Sequence, residues 1–343
     1  MTRQINLAFV GCGFVAQQCH LPCFSSNENF NIICLADPYR DLAENLSVKY
    51  NIPRVAVSHH DVCNMDDVDA VIVTLPRPLT CSVVKDLAKA GKHVLTEKPL
   101  SLNSNSKGDL IEAVVASGSS VMTGYMRQHD NGTTSFKELV GSLGSSDICS
   151  IFAYCHMGDS YAAPFGDIKG SRLVDIEYSR QVLPEWLPKG KEYAYEQFIN
   201  VFSHLTHTLE FIFNDVLQII SHKVNGMGEG QILCSIGDSC CTLELIRGSQ
   251  YKWNEGIICT YRDQQVRLEF PPAFLRNQPA KVVHCSDADG TREIPQKWGW
   301  AFKNQSHAFY DFINSSKEYQ MGDLLQAFRQ VEFAESLFKQ ISI

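Results

Sequence analysis

The 343-residue sequence has no excess of positive charge: 30 Lys and Arg stand against 38 Asp and Glu, a formal charge of −8. A protein that draws its affinity from neutralising phosphates needs the opposite balance, which argues against nucleic acid as a partner. There is also no apolar run of about eighteen residues, the length that a membrane-crossing helix requires. The opening MTRQINLAFVGCG carries neither a basic segment ahead of an apolar one nor a small-residue cleavage pattern, so no secretory signal is expected. Low-complexity segments and internal repeats are missing too. Thirteen cysteines are present, yet no Cys-x-x-Cys pair occurs among them. Most lie in apolar runs, such as Cys34 in IICLA, Cys155 in FAYC and Cys259 in IICTY, where a free thiol acts as a small hydrophobe. Cys19-His20-x-x-Cys23 and the adjacent Cys240-Cys241 come nearest to metal-ligand spacing, and neither has a second pair at zinc-site distance. Reduced thiols, no disulfide framework, no metal and a cytoplasmic location are expected.

What is present is a strong alternation over the first 125 residues. The short apolar runs INLAFVG, NIICLAD, DAVIVTLP, KHVLTE and SVMTGY are separated by segments of helical length, one of them closed by Gly91. Runs that are apolar on both faces and separated by helices indicate an α/β fold with a parallel sheet covered on both sides. Such sheets bind ligands at the carboxyl ends of their strands.

At the end of the first run stands Gly11-Cys12-Gly13-Phe14-Val15-Ala16, a G-x-G-x-x-A pattern. Gly11 permits a tight turn, Gly13 lets the backbone approach a pyrophosphate, and Ala16 lets the following helix pack closely on the sheet. The helix N-terminus then offers free N–H groups and a partial positive charge to the phosphates. Asp37 ends the second run, 24 residues after Gly13, where a carboxylate can accept hydrogen bonds from an adenosine ribose. As an alternative, Asp37 caps the helix that begins after Pro38. A carboxylate at this place repels a 2′-phosphate, which favours NAD; Arg40, three residues on, leaves NADP possible. Thr74, Pro76 and Arg77, after the third run, are expected beside the cofactor as well.

Glu97-Lys98-Pro99 ends the fourth run, at the sheet edge where a nicotinamide is expected. A lysine ammonium there can hold a substrate oxygen and stabilise negative charge developing on it, while a proline fixes the turn. The plainer alternative is a solvated Glu–Lys pair.

Taken together, GCGFVA, HLP at residues 20–22, LADPYR, DAVIVTLP, AGKHVLTEKPL and GYMRQHD resemble the Gfo/Idh/MocA family of glucose–fructose oxidoreductases and inositol dehydrogenases. The likeness implies a doubly wound Rossmann domain over 1–123. It implies a second α/β domain over 124–343, built on a large, mostly antiparallel sheet, which binds substrate and forms a homodimer or homotetramer. The last helix would pack back on the first domain. It further implies that Lys98 is the active-site lysine, preceding a cis peptide bond.

In the second domain, DICSIFAYCH alternates like a strand and a long polar stretch over 158–192 follows. Next come a helical segment, YEQFINVFSHLTHTLEFIFND, six strand-like pieces from VLQIISHKV to AKVVHCS, and two closing helices. The family pattern D-x-x-x-H falls on Asn200-Val-Phe-Ser-His204, which implies that His204 is the acid/base and that Asn200 replaces an acid. Residues i and i+4 share a helix face. A neutral Asn200 raises the histidine less than a carboxylate does, so His204 is expected to be mostly neutral near pH 7. His207, Thr80 and Arg77 are further departures from the family pattern. Arg127 and Tyr125 in GYMRQHD, with His207, are candidate substrate contacts, although Arg127 suits an ion pair at the domain interface equally well. Tyr178, Tyr193 and Tyr195 offer alternative proton donors. Trp298, Trp300 and Phe302 read as core packing, with sugar stacking as the alternative.

The expected activity is hydride transfer between NAD(P) and a secondary alcohol or ketone of a sugar, cyclitol or related small molecule. The alternatives are an imine or tetrapyrrole reductase on the same fold and a catalytically idle dinucleotide-sensing or scaffold protein.

Overall fold

In a computed structural model that describes residues 3–158, 167–171, 173–174, 183–248 and 253–341, the apolar runs become strands of two sheets. β1 (Ile5–Val10), β2 (Phe30–Ala36), β3 (Arg54–Ala56), β4 (Ala70–Val73), β5 (His93–Thr96) and β6 (Val121–Thr123) form a parallel sheet in the order β3-β2-β1-β4-β5-β6. This is the doubly wound order whose switch point lies between the first and fourth strands. β1, β4 and β5 are buried almost throughout, which is why they read as unbroken apolar runs.

The intervening helices are α1 (Leu21–Ser25), α2 (Arg40–Tyr50), α3 (His59–Cys63), α4 (Arg77–Lys89) and α5 (Lys107–Ser117). A π-helical turn, Ala16–His20, leads into α1. Phe24 meets Phe9 and Phe30 edge-on, and Phe309 stacks on Phe30 with ring centroids 6.0 Å apart. Rings in these arrangements add to the area they bury.

Beyond Gly124 a three-residue-per-turn segment, Met126–His129, and α6 (Asn131–Leu143) precede the second sheet. Its strands are β7 (Ser150–Met157), β8 (Gln218–Val224), β9 (Gly230–Ile236), β10 (Ser239–Arg247), β11 (Asn254–Thr260), β12 (Gln264–Phe270), β13 (Lys281–Ser286) and β14 (Gly290–Ile294). Their order is β14-β13-β12-β11-β7-β10-β9-β8, and every neighbouring pair is antiparallel except β7 with β10. The helices here are α7 (Glu192–Val201) and α8 (Ser203–Phe213); α9 (Ala301–Ile313) and α10 (Lys317–Ile341) close the chain.

The chain divides into two compact units. Residues 165–184 and 305–329 belong with the parallel-sheet unit, and the second unit comprises 125–164, 185–304 and 330–343. A single cut at residue 123 therefore does not describe the organisation. Phe309 and Phe312 of α9 lie in the first unit's core, and Asp323 of α10 accepts a hydrogen bond from Thr123 N at 3.0 Å.

Candidate functional site

The first unit's site begins at the turn after β1. Gly11 has φ +89°, and a Cβ built there would stand 2.3 Å from the Thr74 carbonyl oxygen. The turn is tied from both sides, since Gly11 N donates to Ala36 O and Thr74 Oγ1 donates to Gly11 O. Gly13 is different: no heavy atom lies within 4 Å of its would-be Cβ. One glycine is demanded by the fold, and the other keeps open space in front of a helix start. That space, in front of the helical turn that begins at residue 14, fits a dinucleotide pyrophosphate.

Asp37 holds the turn in place. Its Oδ2 accepts from Cys12 N at 2.7 Å and its Oδ1 from Tyr39 N at 2.8 Å. Burial raises its pKa, and the two N–H groups oppose that shift. A carboxylate has about four acceptor directions, so each oxygen retains one for a ribose hydroxyl. Asp37 is not the cap of α2, whose N-cap is Tyr39 with no side-chain hydrogen bond; its contact to Tyr39 N forms a turn ahead of the helix and is compatible with the ribose-binding expectation. Arg40 pairs along its own helix with Glu44 at 2.9 Å.

Gln17 is a participant that the sequence reading missed. Its amide nitrogen donates to Cys12 O and Ile168 O, and its oxygen accepts from Ile168 N. Val174 N donates to Pro38 O, and Asp41 accepts from Ser171, so described residues between 167 and 174 line the β2 side of this site.

Lys98 follows β5 and precedes a cis bond to Pro99. Burial brings its ammonium down to about 8; the neighbouring Glu97 works against the shift and Arg77 adds to it. Glu97 is not a solvated partner: His20, buried on the first helical run, lies 2.7 Å from its carboxylate through Nε2. The His20-Leu21-Pro22 tripeptide marks the histidine, but nothing in it points to Glu97, 77 residues on. Thr80 is buried in α4. Pro76 caps the start of that helix, and Arg77 is its first residue.

In the second unit the expected continuous helix is broken at Phe202, between α7 and α8. Asn200 and His204 lie on opposite sides of that break and are both partly exposed. From Ser203 to Glu210, His204 is the one residue that is not buried. Packing thus leaves it open while its neighbours are enclosed. Its ring meets that of Tyr125 edge-on at 6.0 Å.

Several of the substrate-side candidates are enclosed within the second unit. His207 is buried, stacked on Tyr125 with centroids 3.9 Å apart and planes 8° from parallel, and Tyr125 is itself buried. As placed, they pack on each other rather than present polar atoms to a ligand. Arg127 is buried against Glu255 at 2.5 Å, donates to Pro271 O and lies over the Phe270 ring. The ion pair lies inside the second unit and not, as expected, at a domain interface. Tyr195 is also buried, between Trp186 and Phe338, and burial raises its pKa far out of proton-transfer range. Tyr193 is exposed, and Tyr178 lies outside the described residues. Trp300 and Phe302 pack in the core as expected, whereas Trp298 is 87% exposed. None of the thirteen cysteines is in a disulfide.

Residues 5–125 match the GFO_IDH_MocA model, described as an oxidoreductase family with an NAD-binding Rossmann fold. The match spans the six strands of the parallel sheet, β1 to β6. Among curated relatives, inositol 2-dehydrogenase of Burkholderia vietnamiensis is 30% identical over 208 residues, 58% of each chain. The dTDP-3,4-didehydro-2,6-dideoxy-alpha-D-glucose 3-reductase of Streptomyces violaceoruber is 25% identical over 178 residues, 51% of this chain and 52% of that one. The chain spans about half the length of the curated relatives it matches. KijD10, a 3-ketoreductase from Actinomadura kijaniata solved in complex with NADP, superposes with a TM-score of 0.71 at 17% identity, covering 97% of this chain and 96% of that chain. That likeness shows a common fold across both units. Among the described residues, no helix is long and apolar enough to cross a membrane.

Proposed function

We propose that the chain is an NAD(P)-dependent oxidoreductase that interconverts a secondary alcohol and its ketone on a sugar, cyclitol or related small molecule. The observation that carries this reading is Lys98. It is a partly buried lysine brought down to about 8, fixed at the carboxyl end of β5 in a sheet whose glycine turn stands open at Gly13. The names of two relatives, an inositol 2-dehydrogenase and a dTDP-deoxyglucose 3-reductase, support the substrate class.

When bound, the dinucleotide supplies or takes up the hydride. The chain's own residues do the rest. Gly13 and the backbone of Phe14 and Val15 receive the phosphates, Ala16 lets the helix approach the sheet, and Asp37 accepts from the ribose. The Asp37 and Asp41 carboxylates near the β2 end, with Arg40 engaged by Glu44, favour NAD over NADP. Lys98 binds the substrate oxygen through its ammonium and opposes the charge that grows there as the carbonyl is reduced. In the second unit we assign the acid/base role to His204, the one residue from Ser203 to Glu210 that is not buried, with Asn200 as its positioning residue.

Fluorescence titration with NADH and with NADPH, followed by turnover on inositols and dTDP-sugars, tests the reading. Lys98→Ala should retain nucleotide affinity and lose about 100- to 1,000-fold in kcat. Binding of neither nucleotide, or turnover undiminished by Lys98→Ala, would overturn it.

A further inference from the structure

A cluster on the flank of the parallel sheet has no part in that chemistry. α3 begins with two consecutive histidines after the edge strand β3. His59 Nε2 stands 3.2 Å from Asp86 Oδ2 on α4, and the His59 and His60 rings lie 3.9 Å apart at 38°. One donor atom from each of His59, His60 and Asp86 falls within 4.8 Å of the other two. We infer that His59, His60 and Asp86 form a binding site for a divalent transition metal of the zinc, cobalt or nickel class.

Several features lead to this assignment. Metal–ligand bonds of about 2.1 Å place tetrahedral donors about 3.4 Å apart, so the His59–Asp86 pair already stands at ligand spacing. His60 is exposed and can swing to close the remaining gap, and it leaves the other coordination positions to solvent. Two imidazoles and a carboxylate suit a borderline cation, whereas magnesium and calcium prefer oxygen alone.

The neighbouring charged groups are otherwise engaged. Asp61 turns back to cap α3, accepting from Ser58 N at 3.0 Å and Val57 N at 3.2 Å. Lys92 is held by Met65 O and Val68 O. Cys63 stands one turn after His59 and feels the charge of Asp86, but its sulfur is not one of the three donors. A metal here would clamp α3 to α4 and so brace the edge of the sheet.

The test is equilibrium binding of Zn²⁺ and Co²⁺ to the full chain after chelator treatment, compared with His60→Ala and Asp86→Asn. Surface histidines and thiols elsewhere can take up metal, so the difference between proteins is the readout. Wild type should bind one equivalent that each variant has lost or holds more than about 100-fold more weakly, since even ligand-supporting residues cost about 10- to 100-fold. Co²⁺ should give a visible absorption band that the variants lack, and Zn²⁺ should raise the melting temperature of wild type alone. His60 is exposed, so the metal-free His60→Ala protein should melt with wild type. Equal stoichiometry and affinity in all three proteins, no binding in any, or equally tight Mg²⁺ binding would overturn the assignment.

Discussion

Alanine at Gly11 and alanine at Gly13 should have opposite consequences, although the two residues stand two apart in one turn. At Gly11 the backbone is at φ +89°, where a side chain costs about 1–2 kcal/mol. The new Cβ would also meet the Thr74 carbonyl oxygen at 2.3 Å and its carbon at 2.9 Å. Neither strand can retreat, because Gly11 N is bonded to Ala36 O and Thr74 N to Val10 O. Relieving such an overlap costs about 1–3 kcal/mol more. The total, roughly 2–5 kcal/mol, corresponds to a fall in Tm of roughly 4–20 °C for a unit of this size. At Gly13 the Cβ meets nothing within 4 Å, so stability should stay within about 0.5 kcal/mol of wild type. That same Cβ enters the space proposed for the pyrophosphate, and NADH affinity should fall more than about tenfold. Thermal denaturation and NADH fluorescence titration on both variants make the comparison. If Gly13→Ala bound NADH as tightly as wild type, or melted as low as Gly11→Ala, the division of labour argued for this turn would be wrong.

Four other residues offer sharp contrasts. Lys98 is protonated below about 8, so the part of the reduction rate that needs its ammonium should fade as pH rises through that value, in a profile that Lys98→Ala flattens. Its folded pKa lies below the unfolded 10.5, so between about 8 and 10.5 the unfolded chain binds more protons and Lys98's share of stability rises with pH. Comparing the pH dependence of wild-type and Lys98→Met unfolding isolates that share, and a fall over this window would contradict the assignment. Arg127→Met strands Glu255 in the core and should cost about 3–5 kcal/mol in denaturant unfolding. A variant of unchanged stability but altered KM would instead return Arg127 to the substrate. His204→Ala should lose turnover and keep its Tm, whereas His207→Ala should lose stability by opening a space beneath Tyr125.

The parallel sheet could be read from sequence because its strands are buried on both faces and announce themselves as apolar runs. The edge strand β3 escaped, being three residues long and only partly covered, and α3 escaped with it. In the second unit β14 has no alternation to find, since four of its five residues are exposed. α6 was hidden by its Asn131-Gly-Thr-Thr start, poor in helix formers; tertiary contacts stabilise it instead, with Asp130 accepting from Gly132 N and Ala280 N. The same limit applies to the site. The proposed roles of Gly11, Gly13, Asp37 and Lys98 come from two local motifs, GCGFVA with Asp37 and Glu97-Lys98-Pro99, which sequence displays directly. Gln17, His20 and the ion pair of Arg127 with Glu255 depend on residues distant in sequence, which no local pattern brings together.

Asp37 shows how far a motif residue can be bound up with its surroundings, and this bears on cofactor choice. In a free-standing ribose contact, removing the carboxylate would simply relieve repulsion of a 2′-phosphate and move preference toward NADP. Here both oxygens already accept backbone N–H groups, from Cys12 in the glycine turn and Tyr39 at the start of α2. Asp37→Ala would leave those two donors unpaired at a cost of about 1–3 kcal/mol each where they stay buried. The turn that presents Gly13 would loosen with them. Arg40, held by Glu44, is not placed to compensate with a phosphate contact. The expected result is that Asp37→Ala weakens NADH and NADPH together and lowers the melting temperature. Tighter NADPH binding with an unchanged melting temperature would show that Asp37 acts on the ribose alone and leaves the turn to stand without it.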